Sequence, residues 1–63
     1  MTETQYRGIV TECNNAIFGN KTSFQFEGQT YSTNFKYVLA VMGDTYGFHA
    51  NLTDKYIHLK SKK

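Results

Sequence analysis

A chain of 63 residues with a formal net charge of +2 and no tryptophan or proline is one small domain with a thin core. The single cysteine, Cys13, excludes an intrachain disulfide, and with only His49 and His58 beside it the composition argues against a structural zinc site. Stability must therefore come from the five Phe and five Tyr, each worth about 150–250 Å² of buried surface when packed.

Residues 1–4 are polar and expected to fray. No apolar run follows a basic segment at the start, and nothing approaches the ~20 apolar residues of a membrane span. With one unpaired cysteine, this predicts a cytoplasmic protein without a membrane partner. Residues 5–12 (QYRGIVTE) combine aromatic and β-branched side chains and read as a first strand. Gly8 within it suggests a bulge, a bend or close approach of another backbone. Asn14, Asn15, Gly19 and Asn20 then favour turns, with Ile17 and Phe18 folding back onto the core. The triplets beginning at Asn20 and Asn51 match the N-glycosylation pattern and are read as turn chemistry.

Residues 21–27 alternate strictly, and Gly28-Gln29 suits a two-residue type II′ turn into residues 30–33. That turn would pair Glu27 with Thr30, Phe26 with Tyr31 and Phe24 with Thr33, and would place the aromatics on one face. Asn34 can cap a helical turn over residues 35–40, although an extended reading fits equally well. Residues 42–44 form a turn. Residues 45–50 alternate again, with Tyr46, Phe48 and Ala50 on one face. After a loop over residues 51–55, residues 56–60 form the last strand, Ile57 and Leu59 facing one way and Tyr56, His58 and Lys60 the other. Five short alternating strands predict an all-β, antiparallel barrel over residues 1–63, closed to remove its edges, with residues 61–63 as a basic tail. Phe26 and Phe48, mid-strand on the apolar parity, are expected to be buried.

The stretches YRGIVTE, TSFQFEGQTYST and LAVMGDTYGFHA, together with KYIHLK, resemble the strands of the oligonucleotide/oligosaccharide-binding (OB) fold. The glycine-turn hairpin is similar to strands two and three of that fold, and the Gly-Asp before a strand ending near Phe is similar to strand four. The resemblance implies a five-stranded Greek-key barrel that binds single strands. The small size resembles compact phage-encoded single-strand binders.

Catalytic readings are weak. Asp44 and Asp54 sit where turns favour Asp. Cys13 reads as a small buried hydrophobe. His49 and His58 could neighbour each other, but two ligands are too few for a metal site. No enzyme activity, metal or cofactor is therefore expected. Non-specific single-strand binding needs a positive surface for phosphates and rings on which bases stack. Arg7, Lys36 and Lys60 are the expected phosphate contacts; Tyr37, Tyr56 and His58 are the expected stacking groups, with His49 beside them and Tyr6 and Tyr31 as additions. Tyr31 and Tyr46 share the parity of the core Phe residues and are expected to pack there, whereas Tyr56 is expected to be exposed. The predicted partner is single-stranded DNA, favoured over RNA. The alternative is a small interaction or inhibitor module that meets a partner protein or a second copy of itself through an edge strand or aromatic patch.

Overall fold

The computed structural model of the chain describes residues 1–53 and 56–62. Asp54 and Lys55 of the expected loop, and Lys63 of the expected tail, lie outside the described residues. The described chain runs α1 (Glu3–Phe18), β1 (Ser23–Phe26), β2 (Gln29–Ser32), a 3-10 turn (Thr33–Phe35), α2 (Lys36–Met42), a second 3-10 turn (Gly43–Tyr46), β3 (Phe48–Leu52) and β4 (Ile57–Ser61). The four strands form two separate antiparallel hairpins, β1–β2 and β3–β4. The all-β prediction is thereby corrected: the described residues form a mixed helix and sheet fold with no closed barrel, and not the expected five-stranded OB-like barrel.

The correction starts in the first segment, where a helix replaces the expected strand. A strand over residues 5–12 would send Ile9 and Val10 to opposite faces. A helix collects both of them on one side, together with Tyr6, Cys13 and Ala16, and all five are buried. The start is fixed by a capping box. Thr2 accepts from the Gln5 amide, and the Gln5 side chain accepts from the Thr2 amide. At the other end Asn20 takes the left-handed conformation (φ 59°). Asn20 N–H then bonds Ile17 C=O, and Lys21 N–H bonds Ala16 C=O. This is a Schellman termination with Asn at the left-handed position. Gly8 makes no bulge. A Cβ there would stand 3.0 Å from the ring of Phe26, so the missing side chain is what seats that ring against the helix.

The first hairpin forms as expected, but its turn lies one residue earlier. Glu27 and Gly28 occupy the turn with φ of 50° and 78°, the both-positive signature of a type I′ turn. Phe26 therefore pairs with Gln29 and Phe24 with Tyr31. The expected pairs are all displaced by two, which preserves parity, so Phe24, Phe26 and Tyr31 still share a face. Phe24 is buried there, whereas Phe26 is only half-buried, unlike the expectation for it.

Residues 35–40 resolve as helical. The cap is Ser32, whose hydroxyl accepts from the Asn34 amide, and the 3-10 turn feeds directly into α2. Tyr46 falls in the second 3-10 turn, and β3 begins only at Phe48, after Gly47 turns the chain at φ 84°. In the second hairpin Phe48 pairs with Ser61, His49 with Lys60, Ala50 with Leu59, Asn51 with His58 and Leu52 with Ile57. Phe48 and Ile57 are buried on the inner face. Ser61 thus closes β4 instead of starting a tail. Lys62 donates its backbone N–H to Gly47 and its ammonium pairs with Asp44.

One core joins these pieces: Tyr6, Ile9, Val10, Cys13 and Ala16 of α1, with Phe24, Leu39, Phe48 and Ile57. Tyr6 stacks on Tyr46 at 5.0 Å and on Phe48 at 5.9 Å between centroids. Its hydroxyl donates to the Leu39 carbonyl, so the one polar atom of this buried ring is satisfied. A second stack runs Phe24, Tyr31, Phe35. No helix among the described residues is long and apolar enough to cross a membrane.

Candidate nucleic-acid interface

The outer face of β3–β4 is set by register. Phe48, Ala50, Leu52, Ile57 and Leu59 alternate inward, so His49, Asn51, His58 and Lys60 alternate outward. His49, His58 and Lys60 are all exposed. His49 lies opposite Lys60, with His58 its diagonal neighbour on the same face. Neither strand contains a carboxylate, so no residue of β3 or β4 neutralises the ammonium of Lys60.

Tyr56 stands at the entry to β4, half-buried, its ring edge-on to His58 at 6.2 Å. Its other neighbour is Phe18, 5.5 Å away. Phe18 is 59% exposed, although the sequence reading placed it in the core. The helical period explains this. Arg7, Asn14 and Phe18 recur close to whole turns of 3.6 residues, so they share a side of α1 away from the core stripe. That side meets β4. The Asn14 amide donates to the Ile57 carbonyl at 3.0 Å and accepts from the Ile57 N–H at 2.8 Å, fixing the strand to the helix. Once α1 is recognised as a helix, Phe18 could have been found from its angle to Tyr6.

Four of the expected contact residues thus converge on one face and its margin: His49, Tyr56, His58 and Lys60, joined by Phe18. The other three stand elsewhere. Arg7 is exposed on α1, where it borders an open groove of about 550 Å³ between the helix and the tip of β1–β2. Lys36 and Tyr37 begin α2, the ammonium 5.3 Å from the ring centroid of Tyr37. Of the two additional rings, Tyr6 is fully buried and Tyr31 is half-buried between Phe24 and Phe35.

Among the described residues no three His, Cys, Asp or Glu side chains gather to hold a metal. Cys13 is fully buried, its Sγ 3.9 Å from the Thr33 carbonyl. Burial pushes its thiol pKa up, against a smaller opposing pull from Lys36, so the thiolate is disfavoured. What the β3–β4 face offers chemically is flat rings and positive charge. Comparisons with protein-family models, curated proteins and solved structures gave no match.

Proposed function

We propose that this protein binds single-stranded nucleic acid, DNA in preference to RNA, on the outer face of β3–β4 and catalyses no reaction. The observation that carries this reading is the run of rings Phe18, Tyr56 and His58, leading to Lys60 and His49 on two paired strands that themselves hold no carboxylate. Phe18 and His58 are exposed and Tyr56, expected to be exposed, is half-buried between them; the accessible ring surface gives bases a place to stack, at about 1–3 kcal/mol per base, and the ammonium attracts the phosphates between them. A reducing cytoplasmic setting suits a protein whose only thiol is free and buried.

The test is a fluorescence-anisotropy titration with oligo-dT, oligo-A RNA and duplex DNA at two salt concentrations. Tyr56→Ala is expected to weaken single-strand binding by about 1–3 kcal/mol with little change in salt slope. Lys60→Ala is expected to weaken it less and flatten the slope by about one unit, because one fewer counterion is released. Equal affinity for duplex and single strand would count against stacking. Absence of binding to every oligonucleotide at low salt would end the proposal.

A further inference from the structure

We propose that the outward side of α2 is the contact through which two copies of this chain associate, antiparallel, about a two-fold axis. α2 reads KYVLAVM and carries one charge, Lys36. A helix on the surface of a small domain ordinarily turns polar residues to water. Here Leu39 is fully buried on the core side, yet the opposite side presents Tyr37 at 58%, Val38 at 47% and Val41 at 80% exposure. These three are also most of the large exposed hydrophobics of the described chain.

The occupant follows from the charges at the two ends of this stripe. Lys36 stands four residues before Ala40, its ammonium beside Tyr37. Asp44 stands four residues after Ala40, one turn beyond Val41, in the 3-10 turn that continues α2. A stripe that is positive at one end, apolar in the middle and negative at the other is complementary to itself when turned end for end. That is the requirement of an isologous two-fold interface. Pairing two α2 helices about Ala40 sets Lys36 level with the partner's Asp44 at both ends, with Tyr37, Val38 and Val41 of each copy between them. Asp44 already pairs with Lys62, but its side chain is 78% exposed and keeps room for a second cation. The valines are short enough for the helix axes to approach to about 8–10 Å. This contact is independent of the β3–β4 face, and it gives Lys36 and Tyr37 a role apart from nucleic acid.

Three side chains per copy cover far less than the ~800 Å² per partner of a standard stable interface, so the dimer is weak and reversible. The measurement is sedimentation velocity on the whole chain, without nucleic acid, from about 10 μM to about 1 mM, the range in which so small an interface must reveal itself. The wild type is expected to shift from monomer to dimer across that range. Val41→Lys is expected to stay monomeric, its dissociation constant raised about tenfold or more. Its thermal melt should be unchanged, because Val41 has so little contact with the core. Lys36→Asp and Asp44→Lys should each weaken association, and the double exchange should restore it. A wild type that remains monomeric at the highest concentration overturns the proposal, as does a Val41→Lys variant that associates normally. Failure of the double exchange to restore association overturns the antiparallel pairing.

Discussion

Tyr6 shows how much one side chain carries in a core this small. It is fully buried, stacks on two rings and donates to the Leu39 carbonyl, so it ties α1 to α2 and to β3. Burial, and to a smaller extent the neighbouring Tyr46, push its phenol above the ordinary value of 10.0. A raised phenol pKa means that the fold holds the neutral form. The stability this contributes is complete below the unfolded-state pKa and is lost as pH rises through the folded-state one. Tyr6→Phe keeps the ring and removes the hydroxyl. Near neutral pH it is expected to cost about 0.5–1.5 kcal/mol, the net worth of one hydrogen bond. In a domain of this size that is a fall in Tm of several degrees. Melts repeated at rising pH should bring wild type and variant together above about pH 10, as the wild-type phenol ionises. A gap that stays constant through that range would show that the hydroxyl has no protonation-linked role.

Among the elements, the β1–β2 turn has the most obvious room for improvement. Glu27 takes a left-handed φ of 50°, a conformation that disfavours side chains other than Asn and Asp. Asn-Gly is the preferred pair for a type I′ turn. Glu27→Asn is therefore expected to stabilise the protein by about 0.5–1 kcal/mol, even with loss of the exposed 3.3 Å bond from Gln5. Circular dichroism should show a higher Tm, and an unchanged or lower one would contradict the assigned strain. The same hairpin illustrates what was legible beforehand. Alternation in residues 21–33 identified two strands and the aromatic face correctly, because parity survives a shift of the turn by one residue. The turn itself was misplaced because Gly28 fits either of two turn positions. The first segment was misread for a different reason. Its aromatic and β-branched residues favour strand locally, and the helical stripe emerges only when Cys13 and Ala16 are included with Tyr6, Ile9 and Val10. Asn14 looked like a turn residue, but its amide is spent on Ile57, far along the chain. The inner and outer faces of residues 48–50 and 57–60 were readable from alternation, but β3 starts only at Phe48 and runs on through Asn51 and Leu52, residues expected to be loop. Phe18 and its contact with Tyr56 were not readable, because they depend on α1 being a helix.

For the whole molecule, α1 is the element that both hairpins share. Gln5 and Gly8 meet the β1–β2 tip, while Asn14 and Phe18 meet the start of β4. An isolated two-stranded hairpin is marginal in water, so neither is expected to persist without the helix. Ile9 is fully buried in the centre of that helix. Ile9→Ala is expected to cost about 2–5 kcal/mol, most of the stability a domain of this length has. In amide NMR spectra, Gln25 and Thr30 of one hairpin and Ala50 and Leu59 of the other should lose dispersion together. A variant in which one hairpin stays folded while the other melts would show two independent units.

Because each hairpin is a sheet of its own, the described fold leaves strand edges that no further strand covers. Such edges can template the addition of another chain, the first step towards fibres. The strands are only four or five residues long, which limits how much a newcomer can gain. In β4 the charge of Lys60 adds a second safeguard, since a strand stacked in register would bring like ammonium groups together. Lys60 is therefore a gatekeeper as well as the proposed phosphate contact. Selection for tighter sheet packing at that position works against the protein's own solubility.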